Sequence, residues 1–261
     1  MKWIRYELKG KTGYGLVEGE KVAEYEGAPY GEHKKTGNHV RMADIRVLYP
    51  LVPPTFYAAG LNYITHRKKN AERTGTPLEL PKQQDIGYRA NNALISPGEA
   101  IVIPRDSAGK LQYEGELVVI IGKKVKHVSK EDALSCVFGY TIGNDVSERI
   151  WQRGDRTFWR GKNADTFKPM GPYIETDIGD LNDLETTVRL NGKVVSHFKT
   201  NEMLFGVEET IATITRYNTL YPGDMIWMGT DEPTLDMVAG DVVEVEITKL
   251  GVLKNPVVAE S

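Results

Sequence analysis

Tyr113-Glu114-Gly115-Glu116-Leu117-Val118-Val119-Ile120-Ile121-Gly122 opens with two acids and continues as an apolar run. The run from Leu117 to Ile121 is rich in β-branched residues, which pack well on a covered pleated surface, so it predicts a buried strand. Side chains alternate between the two faces of a strand, so Glu114 and Glu116 share a face, roughly 7 Å apart along the backbone. Two carboxylates on one face at the mouth of a buried strand repel each other and are costly to desolvate. A positive group between them relieves both problems. The next acid in a comparable apolar setting is Asp145, in Gly139-Tyr140-Thr141-Ile142-Gly143-Asn144-Asp145-Val146-Ser147, again at the end of a β-like run. Three carboxylates without a thiolate suit a hard cation, Mg²⁺ or Mn²⁺, with water or substrate oxygens completing an octahedron.

Outward from this stretch, short β-like runs alternate with turns. Residues 2–28 read as a β-meander and residues 27–38, polar and glycine-rich, as a loop. Val47-Leu48-Tyr49-Pro50-Leu51-Val52-Pro53-Pro54 is a proline-stiffened linker. It separates a small N-terminal β domain, residues 1–53, from a larger unit, residues 54–261. Residues 55–60 form a short strand. Residues 74–87 are polar, contain Pro77 and Pro81 and lack an apolar period, so the segment from 64 to 87 is expected to be a mobile lid over a site. Residues 93–95 and 100–104 are strands around Pro97-Gly98. Ser129 is expected to cap a helix that runs to near Gly139, with Glu131 and Asp132 in its first turn. Asn191-Gly192 between Val188-Arg189-Leu190 and Lys193-Val194-Val195 is a strong hairpin signal. Val207, Ile211, Ile214 and Tyr217 recur at helical spacing, so a helix over 203–217 is expected to lay that face on a sheet. Pro222-Gly223-Asp224 and Ala239-Gly240-Asp241 each launch a strand. Regular βαβ alternation is missing, which argues against a Rossmann fold or a TIM barrel.

Bulk properties narrow the function. With 33 basic against 36 acidic residues, the net charge is −3 and no long run of one sign occurs. That argues against the concentrated basic face of a nucleic-acid binder. The lone Cys136 rules out an internal disulfide, and among Leu134, Val137 and Phe138 it reads as a small buried hydrophobe. No apolar stretch reaches membrane-span length and Met1-Lys2-Trp3-Ile4-Arg5 lacks a signal-peptide core, so the expected compartment is the cytoplasm. Gly10-Lys11-Thr12 mimics the tail of a phosphate loop but lacks its first glycine. There is no Gly-x-Ser-x-Gly elbow and no zinc spacing of His and Cys. His33, His39 and His127 read as surface residues.

An ordered set of short motifs says more. Gly60-Leu61-Asn62-Tyr63 with His66, Tyr113-Glu114-Gly115-Glu116-Leu117, Asn144-Asp145-Val146-Ser147 and Arg160-Gly161-Lys162 are followed by Gly171-Pro172-Tyr173, Pro222-Gly223-Asp224, Gly229-Thr230 and Gly240-Asp241. In order and spacing, from about residue 54 to 258, this set resembles the fumarylacetoacetate hydrolase family. The resemblance implies an α+β, mostly β fold: a mixed sheet rolled into a flattened β-barrel or β-roll, with a metal at its open end, in a homodimer. It implies Glu114, Glu116 and Asp145 as ligands of Mg²⁺ or Mn²⁺, His66 as general base and Lys162 beside developing negative charge. Gln152 and Thr230 match positions that hydrogen-bond substrate. The implied substrate is a 2-oxo acid with a second carbonyl or unsaturated arm, often a product of aromatic ring cleavage. The cation would stabilise an enolate, the intermediate that hydrolysis, decarboxylation and isomerisation share.

The expectation is a hydrolase cleaving a C–C bond in a 2,4-dioxo acid of acylpyruvate or fumarylpyruvate type. A 2-oxo acid decarboxylase or an isomerase/tautomerase is the alternative within the family, and a non-catalytic small-acid binding protein the alternative outside it. Asp145→Asn is expected to abolish metal-dependent turnover and leave the fold intact. Three positions depart from the family pattern: Lys69 replaces the glutamate three residues after the histidine, Ile150 replaces an acid after Arg149, and Asp231-Glu232-Pro233-Thr234-Leu235 replaces a glycine-rich tail.

Overall fold

The computed structural model describes residues 1–65, 68, 71–72, 75–78, 80–231 and 235–261. The expected buried strand spans Gly115–Ile121, and every residue of it is buried. It runs antiparallel between strands Val137–Asn144 and Met225–Trp227. Alternation sends Leu117, Val119 and Ile121 into one hydrophobic cluster and Val118 and Ile120 into another, with Trp3, Phe56, Met170 and Trp227. A strand covered on both faces is apolar at successive positions rather than at alternate ones, as this run is.

The strand lies inside a 12-stranded mixed sheet. The meander Lys2–Leu8, Lys11–Glu18 and Lys21–Glu26 extends that sheet, because Lys2–Leu8 pairs with Lys168–Glu175. Phe56–Gly60 pairs parallel with Met225–Trp227 and antiparallel with Asp85–Tyr88. A five-stranded sheet, ordered Lys193–Lys199, Glu185–Leu190, Val242–Ile247, Gly251–Ala259, Ile101–Ile103, covers one face. Its Val188, Val245 and Leu253 share the cluster of Leu117 and Val119. The fold is mostly β with few helices. The large sheet is an open path from Lys34–Arg41 to Asp85–Tyr88, so among the described residues the barrel implied by the resemblance does not close.

Gly115, between the two acids, lies where the two sheets approach each other closely. A Cβ there would lie 2.9 Å from Val188 Cγ2 and 2.9 Å from Val245 Cγ1. Gly115→Ala is therefore expected to destabilise the protein by about 1–3 kcal/mol through overpacking. Urea unfolding checks this, and an unchanged midpoint would contradict the close approach.

The Asn191-Gly192 hairpin forms, with φ of 53° and 77° at the two central residues as a type I′ turn requires. Cys136 is buried, and its Sγ donates to the Ala133 carbonyl at 3.0 Å. Elsewhere tertiary structure overrides local signals. The loop expected at 27–38 gives way to strand Lys34–Arg41, a mostly exposed edge whose polar residues meet solvent. The helix expected from Ser129 is only a 3-10 turn, Ala133–Cys136. Ser129 Oγ does accept from the Asp132 N–H at 3.1 Å, but Gly139 already belongs to the next strand, packed so closely that a Cβ would lie 2.7 Å from the Glu175 carbonyl oxygen. The later helix is Val207–Tyr217 and buries Val207, Ile211 and Ile214, whereas Tyr217 is 79% exposed at its end. Residues 85–87 of the expected lid are part of a paired strand. No described helix is long and apolar enough to cross a membrane.

Candidate active site

Strand register brings the three acids together. Glu114 directly precedes its strand, Glu116 is the second residue in it, and Asp145 directly follows the neighbouring strand. Gly115 is paired with Asn144, so the two ends lie side by side. The Asp145 N–H donates to the Glu114 carbonyl at 2.8 Å, and the Glu114 N–H donates to Asn144 Oδ1 at 2.9 Å. One carboxylate oxygen from each of Glu114, Glu116 and Asp145 lies within 4.8 Å of the others, and all three residues are buried.

Four cations surround them. Asp145 meets Arg89 Nη2 at 2.8 Å, Lys162 Nζ at 2.9 Å and Lys168 Nζ at 2.7 Å. Glu114 meets Lys162 Nζ at 2.5 Å and Arg149 Nη2 at 2.6 Å. Burial pushes the Asp145 carboxyl up, but Arg89, Lys162 and Lys168 together hold it well below the usual carboxylate range. Glu114 follows the same logic: burial is outweighed by Arg149 and Lys162, and its pKa is lowered. Among the described residues, Glu116 has no such partner within ion-pair distance. Its Oε2 accepts from the Gly229 N–H at 2.8 Å, and burial together with the charges of Asp145 and Glu114 raises its carboxyl well above the usual range. Lys168 is fully buried; desolvation brings its ammonium down to about 8, against the pull of Asp145.

This donor set fits a divalent cation. The oxygens are hard and convergent, and the repulsion that raises the Glu116 carboxyl is what an added positive charge relieves. Among the described residues, no other group of three His, Cys, Asp or Glu side chains converges in this way.

A cavity of about 660 Å³ opens on the triad, and Lys162, Gln152 and Thr230 also line it. Gln152 stands on the short helix Arg149–Gly154, capped by Glu148, whose carboxylate accepts from the Trp151 N–H at 2.6 Å. Arg149 and Gln152 are three apart on that helix, the spacing at which side chains meet, and Arg149 Nη1 donates to Gln152 Oε1 at 2.9 Å. Thr230 follows Gly229, whose φ is +84° and where a Cβ would come within 3.1 Å of Asn62. Asn62 in turn donates to the carbonyls of Phe205 and Met228, pinning the Gly60-Leu61-Asn62 segment beside the cavity. His66 and Lys69 lie outside the described residues. Arg89, Arg149, Lys168, Gln112 and Asp236 are site residues that sequence reasoning missed. Only Arg149 had a signal, its place in Asp145-Val146-Ser147-Glu148-Arg149 directly after the third acid.

Comparison with known proteins agrees with this geometry. Residues 55–258 match the family model described as fumarylacetoacetate (FAA) hydrolase C-terminal, and residues 1–50 the one described as Rv2993c-like, N-terminal. The chain is 35% identical over 228 residues to the human mitochondrial oxaloacetate tautomerase FAHD2A, a match that spans 83% of this chain and 70% of that protein. The crystal structure of 5-carboxymethyl-2-hydroxymuconate delta-isomerase from Mycobacterium smegmatis superposes over 100% of both chains with a TM-score of 0.90 at 33% identity. Maleylpyruvate hydrolase from Sphingobium sp. SYK-6, solved with manganese(II) and pyruvate, shares the fold over 100% of both chains, with a TM-score of 0.81 at 24% identity. The family model spans most of the sequence and the motifs fall where the fold needs them: the chain belongs to the fumarylacetoacetate hydrolase family.

Proposed function

We propose that this chain enolises a small dianionic 2-oxo acid with the help of Mg²⁺ or Mn²⁺, and works as a tautomerase or isomerase. The charge of the cavity carries the reading. Among the described residues, counted in ionised form, five bases (Arg89, Lys110, Arg149, Arg153, Lys162) and five acids (Asp85, Glu114, Glu116, Asp145, Asp236) line it. A divalent cation leaves two positive charges, which an oxo acid with two carboxylates neutralises. The tautomerase and isomerase named above, each more than 30% identical to this chain, support that branch.

Glu114, Glu116 and Asp145 would hold the cation. When bound, it supplies Lewis-acid stabilisation of the charge that develops on the keto oxygen. Lys162 and Arg149 set fixed positive charge beside that oxygen, where it acts without reorganising during the reaction. Gln152 and Thr230 donate hydrogen bonds to substrate oxygens. His66 moves the proton at the carbon next to the keto group. A homodimer is part of this reading, and sedimentation equilibrium at twice the chain mass would support it.

Hydrolytic cleavage of a 2,4-dioxo acid from aromatic catabolism is the second reading. The cavity of about 660 Å³ favours it, because a four-carbon acid leaves much of that room for a longer arm and an attacking water. Incubating the protein with Mg²⁺ and oxaloacetate, then with acetylpyruvate, while following enol absorbance, CO₂ and pyruvate separately, distinguishes the branches. Metal-dependent loss of the enol without CO₂ or pyruvate is the expected result. Oxo acids bound but never turned over would instead make this a small-acid binding protein.

Lys69 supplies a further expectation, from sequence alone. A base that activates water benefits from a carboxylate that favours its protonated form, and a lysine three residues on does the opposite. Lys69→Glu is expected to raise any hydrolytic rate relative to decarboxylation on the same substrate about tenfold, within the usual range of acid–base contributions. An unchanged ratio of products would show that His66 is not the water-activating base or that another group already assists it.

A further inference from the structure

A chain of hydrogen bonds, closed by an ion pair, runs from the cavity rim to the acidic triad. At the rim, the Asp236 side chain is 26% exposed and accepts from Lys110 Nζ at 2.6 Å and from Gln112 Nε2 at 2.7 Å. Gln112 Oε1 accepts from Arg149 Nε at 2.8 Å. Arg149 Nη1 donates to Gln152 Oε1 at 2.9 Å, and Arg149 Nη2 lies 2.6 Å from Glu114 Oε1. A carboxylate only accepts and a guanidinium only donates, so Asp236 at one end and Arg149 at the other leave Gln112 a single amide orientation. Arg149 is then held by hydrogen bonds at Nε and Nη1 and by an ion pair at Nη2. Gln152 has its oxygen engaged by Arg149, and among the described residues no protein group takes its NH₂, which remains for the cavity.

We infer that Asp236 is a positioning residue: through Gln112 it clamps Arg149, and through Arg149 it makes Gln152 present donors to the cavity rather than an acceptor. This rests on the oxo-acid reading above, since the carboxylate and keto oxygens of such a substrate only accept hydrogen bonds. The bland account of Asp236 is a surface ion pair with Lys110, whose side chain is 54% exposed. Such a pair contributes little to stability and nothing to binding.

Charge and position predict opposite signs, which makes the inference testable. Asp236→Ala removes a negative charge from the rim. Electrostatics alone would then tighten binding of a dianion and lower KM. The clamp account predicts that KM for oxaloacetate rises about tenfold, with kcat within about threefold of native, because binding rather than chemistry loses its fixed donors. The double variant Asp236→Asn with Gln112→Glu moves the carboxylate to the neighbouring link of the chain at constant net charge. The carboxylate introduced at position 112 accepts from Arg149 and from the amide introduced at position 236, so KM should return to within about threefold of native. Gln112→Glu alone sets two carboxylates face to face and should be the worst binder of the series. An unchanged or lower KM in Asp236→Ala, or a double variant no better than Gln112→Glu, would overturn the inference. Should the native protein enolise no oxo acid, the reading of function falls, and a crystal structure of Asp236→Ala still decides the clamp: displacement of Arg149 from Gln152 supports it, and a retained 2.9 Å contact overturns it.

Discussion

Asp145→Asn is expected to lower 2-oxo acid turnover by about 10³-fold or more. The substitution removes one charge and one hard ligand from the triad, and losing even a single fixed electrostatic contact to developing charge typically costs about 10²–10³-fold. The sequence by itself suggests that the fold would be untouched. The structure says otherwise, because Asp145 is buried and neutralises Arg89, Lys162 and Lys168 together. Removing one member of a buried ion pair costs about 3–5 kcal/mol by leaving an uncompensated charge. The variant should therefore show a lower urea midpoint as well as lost turnover, and activity is to be read under conditions where circular dichroism shows it folded. Turnover within tenfold of native would contradict the placement of Asp145 at the reacting centre.

Lys162→Met is expected to lower turnover by about 10²–10³-fold, with a smaller change in KM. Lys162 Nζ bridges Glu114 at 2.5 Å and Asp145 at 2.9 Å, and the residue lines the cavity, so under the proposed function it would serve the triad and the substrate at once. Without it, two buried carboxylates lose a shared counter-charge and the protein is destabilised in the absence of divalent cation. A cation bound by those carboxylates restores positive charge between them. Mg²⁺ should accordingly raise the melting temperature of the variant more than that of the native protein. At a hundredfold excess over Kd, one-site binding contributes about 2.7 kcal/mol, a readily measured shift. Equal Mg²⁺-dependent shifts in the two proteins, or native turnover in the variant, would place Lys162 outside the site.

Much of this arrangement is legible in the sequence where a repeat of physical character carries the information. The run from Leu117 to Ile121 reads as a buried strand because it is apolar at successive positions, and Asn191-Gly192 reads as a hairpin because its backbone geometry suits few other residues. Glu114, Glu116 and Asp145 stand out because acids at the ends of apolar runs are rare without a reason. Their cations do not stand out. Lys168, between Phe167 and Pro169, is fully buried, yet a single lysine beside a strand ordinarily reads as a solvated one. Arg89 meets Asp145 only through the fold, 56 residues away in the chain. The helix expected after Ser129 fails for a similar reason: its cap is real, but Gly139 is claimed by contact with Glu175 on the neighbouring strand. The branch of chemistry is least legible, because hydrolysis, decarboxylation and tautomerisation would use one triad and differ in which bond breaks to give the enolate.

An enolate is common to all three branches, and the proposed tautomerase forms it by taking a proton from the carbon beside the keto group, so solvent exchange at that carbon tests the account most directly. A 2-oxo acid such as oxaloacetate or 2-oxobutanoate is held in D₂O with the protein and Mg²⁺, and its C3 protons are followed by NMR against a control of buffer and Mg²⁺ alone. The account predicts protein-catalysed loss of the C3 signal that requires the cation and vanishes in Asp145→Asn. Exchange no faster than the control, with the protein folded and the cation bound, would contradict it.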